Sequence, residues 1–473
     1  MQFLSRYKLF YPLFWVICLN FIFKSFIFPF FTPLPDYDTL EGLYLGNFSE
    51  FGNYKHPPLL NFTIQLIDFL WNRNILALSV VSQLYLSLVY IFTFKLAKEF
   101  TNHNNAILAT ILIGFFPAFS TTSHIFHQDI IIILPFVTSI YFYHKLLQKN
   151  NISSAIYLGI SIGLGMLGKY FFAIQVFTII FHAIFFTKLL KNPKIYLAGL
   201  ISILTFSPHI FWNFANHFMI IDYVKSANIN AGKLSPSALL LNGFLNVAIF
   251  VLLIGLLARK MPNFGSLKIN KNLNLILYFG IFNLVILFII MFAFGMEGKS
   301  RFLKMFMPII PLFAIILINK NFEVKQVKQF FILIFIALLA SHIVESFKSF
   351  SKNKLENQNF KQLAEEVELK WHEVCGVKPI KYFYSKADYR LSDFWFFFKD
   401  KPRYVPMSFA NTPYLQEENY EKEGGVIIFN AFKEPLLKSN DIPDISKHSF
   451  FSHHFKKKEI ENEFIIGFYC GKA

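Results

Sequence analysis

Charged residues are scarce in this sequence. Asp, Glu, Lys and Arg make up 16% of the 473 residues, whereas apolar residues make up 55%. Soluble globular domains carry about a quarter charged residues, so the shortage excludes a chain that is soluble along its whole length. The charges that remain are unbalanced, with 45 Lys and Arg against 29 Asp and Glu. Nucleic-acid binding would require this excess to cluster on one face; the sequence has no such cluster, so we expect no nucleic-acid partner.

Cysteine and the common cofactor motifs are also rare or missing. The sequence has no internal repeat, no P-loop, no Rossmann glycine pattern and no paired CxxC spacing, which argues against P-loop NTPases, dinucleotide-binding enzymes and zinc ribbons. Cys18 lies in the first apolar stretch, whereas Cys375 and Cys470 lie near the C-terminus. A disulfide between Cys375 and Cys470 would close a long loop; two unpaired thiols are the alternative.

Long apolar stretches are abundant instead. A helix needs about 20 mainly apolar residues to cross the hydrocarbon core of a bilayer. Eleven stretches meet or approach this length, which predicts a polytopic α-helical membrane protein with about 11 transmembrane helices. The stretches cover residues 8–30, 75–97, 105–122, 129–147, 153–168, 170–188, 195–213, 237–258, 274–296, 303–319 and 329–348.

Basic residues flank these spans on one side. Arg6 and Lys8 precede the first span, and further basic residues recur in every second connection after it. The positive-inside rule places these connections in the cytoplasm, so we expect a cytoplasmic N-terminus and, after eleven crossings, a C-terminus outside. Arg6 and Lys8 also resemble the n-region of a cleaved signal peptide. The apolar stretch is longer than a signal-peptide core, however, and no small-x-small site follows before Pro29.

The composition changes near residue 350. Residues 351–473 contain 19 Lys and Arg and 18 Asp and Glu, so almost all of the net charge of +16 belongs to the preceding part. This balance predicts a transmembrane domain over residues 1–349 and a soluble α/β domain over 350–473. Within the latter, Phe360, Ala364, Val367 and Trp371 recur at helical spacing. Short apolar runs at Ile380–Tyr384, Val426–Phe429 and Phe464–Tyr469 predict strands.

Polar residues that could carry chemistry concentrate in the outer connections. The first connection, residues 33–73, contains Asp38 and, further along, Lys55 and His56. A long ordered connection is often functional, although a carboxylate in an outer loop is often merely solvated. The cations Lys169, Lys299 and Arg301 lie on the same predicted side and could pair with a phosphate or diphosphate. Their alternative role is to extend toward lipid headgroups.

A second outer connection carries two histidines and an acid. His124, His127 and Asp129 have a spacing that could ligate a divalent metal ion. They could equally form a polar helix end, because Asp129 at the start of a helix is stabilised by the helix dipole. Metal dependence therefore stays open: a divalent cation could bind here, and the sequence indicates no other cofactor.

The residues of the first connection resemble a known family. Asp38, followed by Gly52, His56, Pro57 and Pro58, resembles the first-loop signature of GT-C glycosyltransferases. The resemblance is to the bacterial branch of lipopolysaccharide galacturonic-acid transferases, which is related to aminoarabinose transferase and protein mannosyltransferases. That branch has Glu directly after the leading Asp, whereas this sequence has Thr39.

Three further segments match that branch in the expected order. They are Gln128-Asp129, the run Gly165-Met166-Leu167-Gly168-Lys169-Tyr170, and the run from Ser207 through Pro208, His209, Trp212 and Asn213 to His217. The tail with Phe394-Trp395-Phe396-Phe397 stands where the branch has an exported domain. The resemblance covers nearly the whole chain and implies a GT-C membrane domain.

The resemblance also implies a reaction and its participants. The donor would be a sugar on a polyprenyl phosphate, and the acceptor a hydroxyl of lipid A, core oligosaccharide, another glycan or a protein. Transfer would occur on the periplasmic side of the cell inner membrane, among membrane lipids. Asp38 would be the general base, with Lys55, His56, Asp129, Lys169, Lys299 and Arg301 binding substrate or the donor phosphate.

Two other functions compete with this interpretation. A transporter or flippase of lipid-linked sugars also needs many spans, but it usually has repeated halves and ionisable residues near the bilayer midplane. A surface-polysaccharide polymerase or ligase would lack the spacing from Asp38 to His56-Pro57-Pro58. The sequence does not identify the sugar, the acceptor or the oligomeric state.

Overall fold

The computed structural model describes residues 2–31, 34–46, 50–223, 255, 275–276, 278–293, 300–385, 394–406, 424–430, 449–457 and 460–470. Fourteen α-helices occur in this part of the chain. They are α1 Gln2–Ile22, α2 Phe28–Phe31, α3 Tyr37–Gly46, α4 Leu59–Trp71, α5 Ile75–Phe100, α6 His103–Leu112, α7 Gln128–Ile131, α8 Ile133–Lys149, α9 Ile152–Gly168, α10 Ala173–Phe185, α11 Pro193–Ala215, α12 Asn283–Ala293, α13 Ile310–Ile318 and α14 Val324–Cys375.

The chain forms two compact units. The first contains Met1–Phe28, Lys55–Leu60 and Leu76–Glu345. The second contains Pro29–Tyr54, Asn61–Ile75 and Ser346–Ala473, so it includes most of the first outer connection as well as the C-terminal part.

The apolar helices make this a multi-pass membrane protein. Among the described residues, five segments are long and apolar enough to cross a bilayer: Tyr11–Phe31, Ile75–Phe100, Gln128–Lys149, Pro193–Ala215 and Val324–Lys348. Shorter apolar helices occupy the remaining predicted spans, except that most of the predicted span 237–258 lies outside the described residues. Some of these spans are interrupted. Residues 105–122, for example, begin in α6 and continue as two 3-10 turns around Pro117, because proline cannot extend a regular helix.

Asparagine marks several helix boundaries in the first unit. Asn151 precedes α9, and its side chain accepts a hydrogen bond from the backbone N–H of Ser154 at 2.8 Å. Asn192 caps α11 in the same way through the N–H of Lys194. Asn150 ends α8 with a φ of 45°, in the left-handed region that asparagine tolerates. These caps fix the sharp reversals between consecutive antiparallel helices.

Glycine allows α9 and α11 to pack unusually closely. A Cβ at Gly163 would lie 2.4 Å from Cβ of Thr205, and one at Gly159 would lie 2.5 Å from the carbonyl oxygen of Ala198. Small residues four positions apart are the usual means of close helix packing in membranes. The pattern therefore fixes α11 against α9, the helix that ends just before Lys169.

The described residues of the second unit form a mixed five-stranded sheet. Its strands are β1 Tyr382–Ser385, β2 Arg403–Pro406, β3 Gly425–Asn430, β4 Ser449–Lys457 and β5 Ile460–Tyr469, in the order β2-β1-β3-β5-β4. Strand β1 pairs in parallel with β2 and β3, while β5 is antiparallel to β3 and β4. Three strands coincide with the predicted ones. Strands β2 and β4 were not predicted, because neither has a continuous apolar run like those that indicated the other three.

The end of α14 packs against this sheet. Phe360, Ala364, Val367 and Trp371 are buried, as their helical spacing predicts. The Trp371 ring contacts Phe468 of β5 with ring centroids 6.1 Å apart, and its indole N–H donates to the carbonyl of Lys378 at 2.6 Å. A disulfide joins Cys375 to Cys470, with the two Cα atoms 5.1 Å apart. It closes a loop with a sequence separation of 95 residues.

Candidate active site

An ion pair between Asp129 and Lys169 forms the centre of the candidate site in the first unit. The Lys169 ammonium donates to Asp129 Oδ1, and the two side chains are 12% and 6% exposed. Asp129 lies in the first turn of α7, and Lys169 directly follows the last residue of α9. Two residues predicted separately from the sequence are therefore in direct contact.

Gly168 explains how the two helices come close enough for this contact. A Cβ at Gly168 would lie 2.8 Å from Cγ2 of Ile132 and 3.2 Å from Cγ2 of Ile131, which is too close for an ordinary side chain. The glycine lets the C-terminal end of α9 approach the α7–α8 junction. Lys169 then takes an extended backbone conformation, which ends the helix beside Asp129.

His127 links this ion pair to a second cation. Its Nδ1 accepts a hydrogen bond from the backbone N–H of Asp129 at 3.0 Å, so His127 is the N-cap of α7. Its Nε2 lies 3.0 Å from Nζ of Lys304. An accepting Nδ1 places the proton of a neutral ring on Nε2. The Nε2–H group and the Lys304 ammonium are then two donors side by side, an arrangement that an oxyanion accepting from both would stabilise.

The next residue, Tyr170, connects the site to α11. The Tyr170 hydroxyl lies 2.6 Å from Nε2 of His209, and the Asn213 amide nitrogen lies 2.9 Å from the same atom. His209 is fully buried, and Trp212 stacks along it with ring centroids 6.0 Å apart. The two motifs that matched the family around Lys169 and His209 therefore meet through side chains. This network holds the backbone next to Lys169.

Asp38 lies in the second unit, in the first turn of α3. Its backbone N–H donates to Oδ2 of Asp36 at 3.1 Å, and the carbonyl of Asp36 accepts from the N–H groups of Thr39 and Leu40. Asp38 is partly exposed, whereas Glu41, three residues further along, is 1% exposed and lies 3.5 Å from the Tyr44 hydroxyl. Asp38 is thus the more accessible of the two α3 carboxylates, and its position also suits the helix dipole.

The structure describes the other predicted phosphate-binding residues to different extents. Lys55 and His56 belong to the first unit and are half-buried, directly before the buried pair Pro57-Pro58. Lys299 lies outside the described residues. Arg301 lies in the 3-10 segment Ser300–Ile309, but its side chain is not among those described.

The predicted metal ligands do not assemble into a three-residue site. His127 Nδ1 lies 3.8 Å from Asp129 Oδ2, but it is occupied by the backbone N–H of Asp129. The His124 ring instead packs on Phe28 with centroids 4.1 Å apart. Burial and the nearby charge of Lys24 hold the pKa of His124 well below its ordinary value. Across the described part of the chain, no group of three His, Cys, Asp or Glu residues could hold a metal ion.

A second buried ion pair was not predicted from the sequence. Lys24, which is 0% exposed, donates to Glu345 Oε2 and to the carbonyl of Thr121, the latter at 2.7 Å. Next to it, Nε2 of His342 lies 2.9 Å from Oδ1 of Asn20. Ionisable residues within membrane spans are costly and usually functional. A lysine inside the first apolar stretch and an acid inside the last would have indicated this pair.

Lys304 was missed for a related reason. It falls inside the predicted span 303–319, so it was counted as part of a helix rather than with the nearby Lys299 and Arg301. The structure places it in a 3-10 segment that precedes α13, beside His127. The site in the first unit thus combines one carboxylate, two lysines and a histidine, a set that can bind an anionic group and hold it by charge-assisted hydrogen bonds.

The chain is similar in sequence to known glycosyltransferases. Residues 55–212 match the family of dolichyl-phosphate-mannose-protein mannosyltransferases. The chain is also 25% identical over 303 residues to the lipopolysaccharide core galacturonosyltransferase RgtB of Rhizobium johnstonii, and the match covers 59% of each chain. The matched region therefore spans about three fifths of that relative.

Solved structures share the fold over a larger part of the chain. ArnT from Cupriavidus metallidurans bound to undecaprenyl phosphate has a TM-score of 0.63 at 10% identity, covering 96% of this chain and 97% of ArnT. The apo state of the same protein has a TM-score of 0.58 and covers 92% of this chain and 93% of ArnT. Together with the family match, this confirms the resemblance found in the sequence: the chain has the fold of the GT-C glycosyltransferase superfamily.

Proposed function

We propose that this protein is an integral-membrane glycosyltransferase that moves a sugar from a polyprenyl-phosphate donor to a hydroxyl of a cell-envelope acceptor. The observation that carries the proposal is the cluster of the buried His127 and Asp129 with the partly buried Lys169 and Lys304 in a chain with a GT-C fold. The names of its relatives support this chemistry, since one is a galacturonosyltransferase of lipopolysaccharide core and another was solved with undecaprenyl phosphate. The acceptor classes are lipid A or core oligosaccharide, another glycan, or a protein.

The cluster is suited to the donor phosphate. When the sugar leaves, the polyprenyl phosphate gains negative charge, so the transition state is stabilised by cations placed in advance around it. Lys169 and Lys304 supply two such charges, and Nε2–H of His127 supplies a neutral donor. Asp129 keeps Lys169 in place. Its negative charge also offsets part of the positive charge that Lys169 and Lys304 bring to the site. Lys55, His56, Lys299 and Arg301 complete the proposed set.

Asp38 is the proposed general base. Transfer to a hydroxyl is assisted by a carboxylate that orients the acceptor and takes its proton, which contributes roughly 10²–10⁴-fold to the rate. Partial exposure of Asp38 leaves it able to meet an incoming acceptor. The departing phosphate is already stable as an anion, so no strong general acid is required.

The proposal includes a topology. Eleven spans, a cytoplasmic N-terminus and a periplasmic α/β domain over residues 350–473 would place Asp38, Asp129 and Lys169 on one side of the inner membrane. The supporting observation is the alternation of basic connections along the sequence. Cysteine-accessibility labelling at residue 98 and at residue 222 would separate the two sides.

The direct test is transfer by the purified full-length protein. The chain, reconstituted with a polyprenyl-phosphate-linked sugar and a lipid A or core-oligosaccharide acceptor, should form a product whose mass rises by one sugar. Lipid A and surface glycans from a deletion strain, analysed by mass spectrometry, should lose the same mass and so identify the acceptor class. Unchanged envelope glycans in that strain would contradict the proposal.

The base assignment has its own variants. Asp38→Asn should abolish transfer while donor binding stays normal, because only proton removal is lost. Asp36→Asn is the matched control: it changes charge two residues away but keeps a residue that also caps helices well. Near-normal transfer by Asp38→Asn would exclude Asp38 as the base.

A further inference from the structure

Arg73, in the second unit, is a buried cation with unsatisfied donors. It follows α4 and is 8% exposed. Among the described residues, its Nε and Nη1 atoms are buried without a hydrogen-bond partner, and Nε lies 3.8 Å from Oδ1 of Asp68, beyond hydrogen-bond distance. A buried guanidinium normally has its donors satisfied, so this arrangement suggests an anion that completes the site.

A fixed aromatic surface holds the guanidinium in place. Arg73 Cζ lies 4.2 Å from the centroid of the Trp395 ring. Trp395 is 0% exposed, and its indole N–H donates to the carbonyl of Pro402 at 2.6 Å. Stacking on an aromatic ring fixes the plane of the arginine guanidinium, a group that binds phosphate or carboxylate in a bidentate manner.

Lys401 adds a second positive charge. Its ammonium donates to Oδ1 of Asn72, and its pKa is lowered by burial, with Asp68 opposing the shift and Arg73 adding to it. Arg73 and Lys401 thus share the carboxylate of Asp68, so these three side chains together carry a net positive charge. Asn72, Arg73 and Lys401 all have positive φ angles, of 58°, 57° and 51°. Arginine and lysine rarely adopt this conformation, and such strain is concentrated at ligand sites.

Exposed apolar side chains of α4 immediately precede Asn72 and Arg73 in the sequence. At the end of α4, Leu66, Phe69, Leu70 and Trp71 are 56%, 82%, 54% and 51% exposed. An exposed apolar helix face next to two cations fits an amphiphile, whose acyl chains contact the helix and whose headgroup contacts the cations. A free phosphate or a soluble glycan would use only the cations.

We propose that Arg73 and Lys401 bind the phosphate or carboxylate of an anionic glycolipid, and that this glycolipid is the sugar acceptor. The site would select acceptors by their negative charge. Its residues are different from those assigned to the donor phosphate and to proton transfer. The acceptor role rests on the proposed function, whereas binding of the anionic headgroup can be tested without any transfer.

Binding by the purified full-length protein provides the test, with native mass spectrometry as the readout. The probes are lipid A with its phosphates, the same lipid A after phosphate removal, and phosphatidylglycerol. Because hydrogen bonds to charged groups are strong, we expect removal of the phosphates to weaken binding about tenfold or more. Arg73→Gln should weaken binding of phosphorylated lipid A by a similar factor and leave binding of the dephosphorylated form unchanged.

Two further variants keep the result interpretable. Lys401→Gln should weaken binding of phosphorylated lipid A several-fold even if Arg73→Gln folds poorly. Lys399→Gln removes the same charge from a side chain that is 74% exposed, two residues away, and should have no effect. In transfer assays, Arg73→Gln should raise KM for a phosphorylated acceptor without changing kcat.

The outcomes separate this site from the proposed function. Wild-type affinity of a folded Arg73→Gln or Lys401→Gln variant for phosphorylated lipid A would overturn the inference. Equal binding of phosphatidylglycerol would also overturn it, because the site would then hold bulk lipid headgroups. If the phosphate-dependent binding holds but no sugar is ever transferred, the proposed function fails and the headgroup site remains.

Discussion

Asp129 and Lys169 form a buried ion pair between the first turn of α7 and the residue that ends α9. The pair admits two roles. It could only hold the helices together, or it could hold Lys169 ready for an anionic substrate. A buried pair is weak evidence of stability, since its desolvation cost often exceeds the attraction between the charges.

A double-mutant cycle distinguishes these roles. Lys169→Met or Asp129→Leu alone should lower the free energy of unfolding by about 3–5 kcal/mol, because each leaves a buried charge unpaired. The double variant should recover most of that stability. We expect donor use to stay lost in the double variant, as followed by its KM for the polyprenyl-phosphate sugar. Recovery of normal donor use would show that the pair is only structural.

Variants of His127 can separate its role as a helix cap from its proposed role in phosphate binding. His127→Ala should destabilise the protein by about 1 kcal/mol, because the N–H of Asp129 loses its cap. His127→Asn supplies a new cap and should restore the thermal midpoint. It cannot supply the Nε2–H group beside Lys304, so donor affinity should remain reduced. Full donor affinity in the Asn variant would remove His127 from the phosphate site.

The sequence predicted the parts of this site that lie at span ends. Asp129 and Lys169 were identifiable because each interrupts an otherwise apolar region, and the positive-inside rule put both on one side. The contact between them was not predictable, since it depends on the clearance that Gly168 gives against Ile132. Lys24, Glu345 and Lys304 were missed because a residue inside an apolar stretch was counted as part of a span.

The first outer connection differs from its prediction in another way. Its composition indicated a long ordered connection, yet the structure contains two helices there, α3 and α4. Helix α4 is apolar enough to resemble a short span, but its exposed Phe69 and Leu70 lie on a helix of only 13 residues. Hydropathy alone does not separate such a surface helix from a buried one.

The ion pair of Lys24 and Glu345 allows a prediction about the stability of the first unit. Lys24→Met or Glu345→Gln alone should lower the thermal midpoint strongly, because a charge buried among spans is left without its partner. Both changes together should restore most of it. The control is Lys145 and Glu99, a pair 2.6 Å apart whose side chains are 15% and 26% exposed. Because this pair is less deeply buried, breaking it should lower the thermal midpoint less; equal effects at the two pairs would contradict the prediction.

The Cys375–Cys470 disulfide should stabilise the second unit. Closing a loop of about 100 residues reduces the entropy of the unfolded chain, which corresponds to about 4–5 kcal/mol. Cys375→Ser should therefore expose β1 and β3 to faster hydrogen exchange while the spans of the first unit keep their protection. Cys18→Ser is the control, since Cys18 is a free cysteine. Equal exchange in Cys375→Ser and the wild type would show that the bond contributes little.

Glu368 gives a prediction about pH. Burial raises the pKa of Glu368, although its Oε1 accepts from the backbone N–H groups of Lys399 and Asp400, the latter at 3.0 Å. A folded pKa above the unfolded value of about 4.3 means that protonation stabilises the folded state. This stabilisation of the folded state is complete below about pH 4 and is lost as the pH rises through the pKa of Glu368 in the folded protein. Glu368→Gln, which stays neutral, should then gain stability relative to the wild type between about pH 4 and 7.

The measurement is hydrogen exchange at β1 in the full-length protein, with variant and wild type compared at each pH so that intrinsic exchange rates cancel. Glu365→Gln is the matched control, because Glu365 is 41% exposed and only 3.9 Å from the exposed ammonium of Lys399. Its difference from the wild type should stay small across the same range. A Glu368→Gln difference that stayed constant from pH 4 to 7 would show that the two backbone hydrogen bonds offset burial. A difference that grew toward acid pH would show that they outweigh burial and that the carboxylate stabilises the folded domain in its charged form.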